Sequence, residues 1–295
     1  MYAKRALNHS LDEPVMTDHL QISAILDDAT ERLTAVSDSA RLDAELLLAR
    51  AIDMPRSYLF AHPEEVLDEL AVARFEAAIE RRLAGEPMAY ITGVREFWSL
   101  ELMVTPATLV PRPETELLVD LALREIPRRA EWAILDLGTG SGAIAIAIAK
   151  ERPLSRVTAT DISAAALDVA RQNARQLEIP NIEFLEGDWT GPVSGRRFNV
   201  IVSNPPYVRA NDAALDALRR EPHNALAAGD DGLDAIRILA RDCGALLEPG
   251  GVLLIEHGAE QRDAVAAALC EHGWTGVSCH DDYAGLPRIT VARRD

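Results

Sequence analysis

The 295 residues suffice for one large domain and a small one, and 48% hydrophobic with 26% charged residues is typical of a globular protein. A net charge of -17 argues against phosphate-backbone binding as the main source of affinity, and three scattered cysteines argue against a disulfide framework. The longest apolar run, 143–149, is too short to span a bilayer. We expect a cytoplasmic protein with no membrane span, no metal site and no direct nucleic-acid contact.

The first third of the chain is predicted to be helical. Residues 1–18 form a polar segment that we expect to be a flexible tail, and residues 19–86 are rich in Ala, Leu, Glu and Arg. Apolar residues recur at helical spacing over 67–83, which predicts one apolar helix face. The pattern indicates a bundle of about four helices, which either docks a protein substrate or simply packs. The clearest helical stretches are 30–36, 40–51 and 66–83.

Residues 87–110 form the next segment, and from Tyr90 onward its composition is β-prone and aromatic. Leu100, Leu102 and Val104 alternate with other residues, as in a strand with one buried face. We therefore expect a β-hairpin that links two domains.

A stiff segment, PRPETE, follows at residues 111–116 and leads into a helical pattern over 117–126. Glu114 and Thr115 suit a helix N-terminus, where carboxylates and hydroxyls accept hydrogen bonds from free amide groups. The alternative is that Arg112, Glu114 and Glu116 border a functional site. The sequence leaves both possibilities open.

The remainder of the chain alternates strands with helices, which predicts an α/β fold with a mostly parallel, doubly wound sheet. The predicted strands cover residues 133–137, 156–160, 182–185, 198–203, 252–256, 276–278 and 288–292. The predicted helices cover residues 144–150, 164–176, 233–247 and 259–272.

Three neighbouring strand ends carry residues suited to an adenosyl group. The first strand runs into DLGTGSG at 136–142, where glycines let the backbone approach a ligand at a helix N-terminus. Asp161 ends the next strand, where a carboxylate can bind both ribose hydroxyls. The alternative is that Asp161 caps the following helix, but Ser163 can supply that cap, which favours the ligand role for Asp161. Asp188 and Trp189 follow the third strand and offer a carboxylate and a stacking ring for adenine.

The tetrapeptide Asn204-Pro205-Pro206-Tyr207 follows the buried strand 198–203. Two prolines fix their own φ and hold the preceding residue extended, so the turn is stiff. Such a turn can present an amide oxygen and backbone carbonyls that accept both hydrogens of a planar NH2 group, with an aromatic ring beside them. We predict a site that binds an amide or amino nitrogen. For Tyr207 the alternative is an aromatic residue that closes the core.

These motifs together resemble a known family. Residues 204–207 match the (N/D)PPY motif of class I methyltransferases that modify amino or amide nitrogens. The stretches PMAYITGVREFW, VTPATLVPRPETELLVD, ILDLGTGSGAIAIAIA, EGDW and VSNPPYV, in this order, resemble the peptide chain release factor glutamine methyltransferases. The resemblance is close from about Glu86 to the C-terminus and only compositional before it. It implies a seven-stranded class I methyltransferase sheet, in a domain over residues 111–295.

The resemblance implies S-adenosyl-L-methionine as the cofactor, and as substrate the glutamine of the Gly-Gly-Gln loop in bacterial class 1 release factors. The residues predicted to bind the cofactor are Gly138, Thr139, Gly140, Ser141, Gly142, Asp161, Asp188, Trp189 and Asn204. The predicted catalytic residues are Asn204, Pro205 and Tyr207, and the predicted substrate-binding residues are Asn204, Pro205, Pro206 and Tyr207.

Two other classes of function stay open at this point. One is a transferase that acts on a ribosomal-protein glutamine or a nucleic-acid amino group, although the PRPETE stretch favours the release factor and the acidic charge disfavours nucleic acid. The other is a non-catalytic adenosyl-binding module, which the intact motif at Asn204 disfavours. We expect a monomer. Segments 221–222 and 228–232 are predicted to form either a lid or a plain polar loop.

Overall fold

The computed structural model describes residues 20–294, and the chain divides between Thr92 and Gly93 into two units. The predicted tail, residues 1–18, lies outside the described residues. The first unit contains the helices α1 (Ile22–Leu33), α2 (Ala40–Ala51), α3 (Arg56–Ala61), α4 (Glu69–Leu83) and α5 (Met88–Thr92). Within residues 20–294, no helix combines the length and apolarity that crossing a membrane requires.

Apolar side chains from the helices of the first unit pack into one core. Leu26, Leu48, Phe75 and Ile79 are at most 2% exposed and belong to one core cluster. The helix α4 starts where Asp68 caps it, since the Asp68 carboxylate accepts a hydrogen bond from the Ala71 backbone at 2.7 Å. This cap explains why the predicted helix 66–83 begins only at Glu69.

The second unit opens with the hairpin of β1 (Val94–Phe97) and β2 (Leu100–Met103), which pair antiparallel. The alternation in β2 buries Leu100 and Leu102, as the sequence pattern predicts. The expectation that the β-prone stretch begins at Tyr90 is wrong. Tyr90 lies in α5 of the first unit, and the first strand begins four residues later, at Val94. The carbonyl of Pro87, directly before α5, accepts the backbone hydrogen bonds of the first turn of this helix.

A seven-stranded sheet forms the centre of the second unit, with the order β5-β4-β3-β6-β7-β9-β8. The strand β9 runs antiparallel to β7 and β8, and the other described pairs of this sheet are parallel, so the predicted mostly parallel, doubly wound sheet is confirmed. The strands are β3 (Ala133–Leu137), β4 (Arg156–Asp161), β5 (Ile182–Glu186), β6 (Phe198–Ser203), β7 (Leu247–Glu256), β8 (Thr275–Asp281) and β9 (Pro287–Arg293). The helices are α6 (Glu116–Glu125), α7 (Ala143–Glu151), α8 (Ala164–Gln176), α9 (Ala214–Ala217), α10 (Asp234–Asp242) and α11 (Arg262–Glu271).

The predicted helix 233–247 is shorter in the structure. The helix α10 ends at Asp242, a 3₁₀ turn covers Cys243–Leu246, and the chain enters β7 at Leu247. A register irregularity between Phe198 and Val200 of β6 accommodates the early start of β7. The strand therefore begins before the apolar run 252–256 that identifies it in the sequence.

The strand order reverses between β3 and β6. After β3 the chain builds β4 and β5 on one side, and it then returns to place β6 on the other side of β3. In open parallel sheets, ligands bind at the carboxyl ends of the strands beside such a reversal. The fold therefore brings together the strand ends that the sequence analysis singled out.

The buried side chain of Asn173 in α8 connects the hairpin to the loop after β3. Its Oδ1 accepts a hydrogen bond from the Met103 backbone at 2.7 Å, and its Nδ2 donates to the carbonyls of Met103 and Ser141 at 3.0 and 2.9 Å. Asn173 is 1% exposed, so no bulk water can replace these partners. One side chain thus fixes the position of the loop at 138–142.

We expect Asn173→Ala to lower the free energy of unfolding by roughly 3 kcal/mol, because three backbone groups lose their partner inside the protein. Urea unfolding followed by circular dichroism measures this, with the exposed Asn211→Ala as the matched control. A loss no larger than that of the control would show that the contacts of Asn173 do not stabilise the unit.

Candidate active site

A cleft of about 260 Å³ lies at the carboxyl ends of the central strands. Of the residues predicted for the site, Gly138, Gly140, Asp161, Asp188, Trp189, Asn204 and Pro206 line it. The segments 107–109 and 222–225 also contribute to its wall, and the sequence analysis did not assign them to the cofactor or the substrate. The predicted residues Thr139, Ser141, Gly142, Pro205 and Tyr207 are not among its lining residues.

The loop after β3 depends on glycine. Gly138 and Gly140 have φ of +76° and +55°, in the left-handed region that side chains disfavour. The backbone N–H groups of Gly138 and Thr139 both donate to the Thr160 carbonyl at 2.9 Å, which ties the loop to β4. Glycine adopts this conformation without steric cost and leaves the backbone open to the cleft.

Asp161 at the end of β4 faces the same loop. Its Oδ2 accepts a hydrogen bond from Gly140 N–H at 2.8 Å, and its Oδ1 accepts one from Ser163 N–H at 2.9 Å. Ser163 supplies the side-chain cap of α8, accepting from Ala166 N–H at 3.2 Å. Each carboxylate oxygen of Asp161 keeps a second lone pair for a ligand in the cleft.

Three residues of the glycine motif face the protein instead of the cleft. Thr139 Oγ1 donates to Asp136 Oδ2 at 2.6 Å, and the Ser141 carbonyl accepts from Asn173. Gly142 has φ of +85° and begins α7; a Cβ there would lie 3.0 Å from Ile146 Cδ1. These residues shape the loop from within.

Asp136 is a fully buried carboxyl group beneath the loop. Burial raises its pKa to about 7, while hydrogen bonds from Thr139 and the Ala145 backbone oppose the rise, and the charge of Asp161 adds to it. Its Oδ1 has no hydrogen-bond partner in the described part of the chain. Asp136 therefore carries a charge at neutral pH only against a desolvation penalty.

The third strand end turns sharply. Gly187 has φ of +154°, and a Cβ there would lie 2.3 Å from Pro192 Cγ, so only glycine fits. Trp189 has φ of +42°, a conformation that non-glycine residues adopt mainly at turns and functional sites. The turn brings Asp188 and Trp189 to the cleft wall.

Asn204 lies at the cleft, and its carboxamide is held from the protein side. Its Nδ2 donates to Thr115 Oγ1 at 3.1 Å. Pro205 is buried, and Pro206 lines the cleft. Tyr207 packs against the apolar core on one side of the sheet and donates its hydroxyl proton to Glu256 Oε1 at 3.2 Å. Burial, and then the charge of Glu256, raise the pKa of Tyr207.

Thr115 and Glu256 are functional candidates that the sequence analysis missed. Thr115 starts α6 without any side-chain capping bond, so the predicted cap is wrong for this residue. Its hydroxyl oxygen instead accepts the hydrogen bond from Asn204 Nδ2. The signal for Glu256 was present, because this residue ends the strand beside the one that carries Asn204.

The charged residues around α6 have separate structural partners. Arg112 forms an ion pair with Glu221 at 2.5 Å, and Glu221 also accepts a hydrogen bond from Val110 N–H at 3.0 Å. Glu116 accepts one from Trp98 N–H at 2.8 Å. Glu221 is 7% exposed, so the segment that begins there is anchored by a buried contact rather than being a plain polar loop.

The fold and the cleft define a class I methyltransferase. The family model described as methyltransferase small domain matches residues 115–232, and the one described as PrmC N-terminal domain matches residues 24–93. The solved structure of a Thermus thermophilus 16S rRNA N2 G1207 methyltransferase, determined with AdoMet and guanosine, shares the fold at 18% identity with a TM-score of 0.51. The match covers 68% of this chain and 50% of that one.

Relatives found by sequence define the family more narrowly than the fold does. The chain is 46% identical to the release factor glutamine methyltransferase of Coxiella burnetii over 275 residues, which cover 93% of this chain and 99% of the relative. It is 47% identical to that of Xylella fastidiosa over 272 residues, with 92% and 97% covered. The chain therefore belongs to the family of release factor glutamine methyltransferases.

We expect Asp136→Asn to become more stable relative to the unaltered protein as the pH rises from 5 to 8.5. The folded-state pKa of about 7 exceeds the ordinary 3.8, so the contribution of Asp136 is fully present at low pH and falls until about pH 7. Because asparagine does not titrate, the free energy of unfolding of Asp136→Asn minus that of the unaltered protein should grow by a few kcal/mol over this pH range.

Urea unfolding of both proteins at the two pH values measures this difference. The exposed Asp168→Asn, measured in the same way, is the matched control. A pH-independent difference for Asp136→Asn as well would contradict the raised pKa.

Proposed function

We propose that this chain transfers a methyl group from S-adenosyl-L-methionine to the side-chain amide nitrogen of the glutamine in the Gly-Gly-Gln motif of class 1 peptide chain release factors. The observation that carries the proposal is the Asn204 carboxamide, held at the cleft by a hydrogen bond through its nitrogen. The near full-length identity to relatives named for this reaction supports the same substrate.

The residues of the cleft fit an adenosyl cofactor. Glycines with left-handed φ leave backbone open to a ligand, and Asp161 keeps lone pairs for two ribose hydroxyls. Asp188 and Trp189 supply a carboxylate and a ring for adenine. We propose that these residues, with the loop 138–142, hold the cofactor, which when bound supplies an electrophilic methyl group on a sulfonium sulfur.

The chain's own residues make the amide nitrogen reactive by orienting it. An amide nitrogen is a poor nucleophile because its lone pair is delocalised into the carbonyl. The Asn204 Oδ1 and the Pro205 carbonyl would accept its two hydrogens and point the lone pair at the methyl carbon. Holding two reactants in line contributes up to about 7–11 kcal/mol. The acceptors bind more strongly as positive charge develops on nitrogen, and the proton then leaves to water.

We further propose that the first unit docks the release factor. Large apolar side chains remain exposed on it, among them Phe60 at 59%, Val66 at 45% and Leu70 at 67%. A contiguous patch of such side chains is typical of surfaces that bind another protein. We propose a cytoplasmic monomer without direct nucleic-acid contact, for which the net charge of -17 is supporting evidence.

The purified protein should transfer labelled methyl groups from S-adenosyl-L-methionine to a class 1 release factor. Replacing the glutamine of the factor's Gly-Gly-Gln motif by alanine should abolish the labelling, since no other nitrogen would reach the acceptors in this geometry. Scintillation counting of the isolated factor measures the transfer. Labelling that survives the replacement would reject this substrate.

Asn204→Ala should keep the affinity for the cofactor within about twofold while turnover falls by on the order of 100- to 1,000-fold, as when one transition-state hydrogen bond is removed. Calorimetric titration with S-adenosylhomocysteine gives the affinity, and initial rates give the turnover. The exposed Asn211→Ala should leave both unchanged. An equal loss of affinity and turnover would mean that Asn204 has a structural role.

A further inference from the structure

We propose that Glu221 is a positioning residue, which joins the two wall segments of the cleft, 107–109 and 222–225, and thereby slows the release of the cofactor. The inference rests on the proposed function, because it takes the ligand of the cleft to be S-adenosyl-L-methionine. Both segments line the same cleft although they lie far apart in the chain. Glu221 directly precedes one of them, and its partners Val110 and Arg112 follow the other.

The Glu221 carboxylate accepts one hydrogen bond with each of its oxygens. Oε2 accepts from the Val110 backbone N–H at 3.0 Å, and Oε1 accepts from Arg112 Nη2 at 2.5 Å. The Glu221 side chain is 3% exposed, and that of Arg112 is 32% exposed. Hydrogen bonds to an ionised group are stronger than those between neutral groups. Separating the two wall segments would leave a buried carboxylate without its partners, which is costly.

Each wall segment belongs to a compact turn with its own hydrogen bonds. On one side, the backbone N–H and the hydroxyl of Thr108 both donate to the Thr105 carbonyl, at 3.0 and 3.2 Å. On the other side, the Ala225 N–H donates to the Pro222 carbonyl at 3.0 Å. These bonds maintain the shape of each turn. The contacts of Glu221 are of a different kind, because they hold one turn beside the other.

The loop that contains Glu221 is also tied at its two ends. The Val208 N–H donates to the Leu226 carbonyl at 2.8 Å, and the Ala228 N–H donates to the Val208 carbonyl at 2.9 Å. The loop therefore leaves and returns directly after the Asn204 turn, and Glu221 restrains it at a third point. Of these three points, Glu221 is the one that joins the wall segments. Loss of its contacts would free 222–225 from 107–109.

The consequence falls on the ligand of the cleft. The wall segments and the predicted cofactor residues Asp161, Asp188 and Trp189 line one cleft. Segments of this kind slow the release of a ligand when they have to move before the ligand leaves. With the contacts of Glu221 intact, this movement has to break two hydrogen bonds to a buried carboxylate.

The test uses Glu221→Gln, which keeps the size of the side chain but presents an NH2 group to one of the two donors. The rate constant for dissociation of S-adenosylhomocysteine should rise by on the order of tenfold, as expected when a hydrogen bond to a charged group is lost. Stopped-flow displacement followed by tryptophan fluorescence measures this rate, since Trp189 lines the cleft. An unchanged rate would overturn the proposal.

The matched control is Glu183→Gln, which removes an exposed ion pair with Arg196, and neither residue lines the cleft. Its dissociation rate should equal that of the unaltered protein. A loss of global stability does not explain a faster rate in Glu221→Gln, because dissociation is measured from the folded complex. An equal acceleration in both variants would reject a specific role of Glu221.

Arg112 variants test whether one interaction is responsible. Arg112→Met should accelerate dissociation of S-adenosylhomocysteine, and the double variant with Glu221→Gln should be no more than about twofold faster than the faster single variant. Arg112→Lys keeps a charged donor and should come within about threefold of the unaltered protein. Single effects that multiply in the double variant would show that the two residues act independently, which contradicts the proposal.

Hydrogen exchange of the protein without ligand separates this inference from the proposed function. Peptides covering 107–110 and 222–227 should exchange at least about threefold faster in Glu221→Gln, and those covering 182–186 should not change. Equal exchange would reject the contacts of Glu221 as a restraint, and faster exchange without faster dissociation would reject its role in cofactor release.

The outcomes for the unaltered protein are equally distinct. If both differences were present while release factors stayed unmethylated, only the proposed substrate would be rejected. If the unaltered protein bound no S-adenosylhomocysteine, the proposed cofactor would be rejected, and this inference with it.

Discussion

The site depends on how a single carboxamide divides its two ends between the protein and the ligand. The Asn204 side-chain nitrogen donates a hydrogen bond to Thr115 Oγ1, so the Asn204 oxygen is the end that remains for a substrate amide. Carboxamides rotate easily, and nothing in the covalent structure of Asn204 prefers one orientation over the other. In the structure the buried Thr115 sets the orientation, because its hydroxyl oxygen accepts the hydrogen bond from the nitrogen end. A residue that does not line the cleft therefore orients one that does.

Two acidic residues of the sheet share a similar environment. Asp136 and Glu256 are both buried, both lie at or next to the carboxyl end of a strand, and both have a pKa raised to about 7 by desolvation. Each accepts a hydrogen bond from a side-chain hydroxyl, that of Thr139 in one case and that of Tyr207 in the other. The parallel sheet makes this possible because its strands end together at one edge. The apolar core supplies the stability that these carboxylates reduce.

The two units owe their order to different interactions. The first is a helical bundle, and its structure follows from one shared apolar core, the Asp68 cap and ion pairs between helices such as Arg82–Asp43. The second depends on pairings between distant strands and on polar side chains that join separate segments. Asn173 connects α8 to both the hairpin and the glycine loop, and Glu221 connects the chain after β6 to the residues before α6. The cleft is built on these long-range contacts.

The sequence alone determined the doubly wound sheet, the glycine loop and the stiff turn at Asn204, because periodicity, left-handed glycines and consecutive prolines act within a few residues. It could not determine the partners of those residues. Thr115 and Asn204 are 89 positions apart, Tyr207 and Glu256 are 49 apart, and Arg112 and Glu221 are 109 apart. Only the tertiary structure decided these contacts, because hydrogen bonds between distant segments exist only once the sheet has brought the strand ends together.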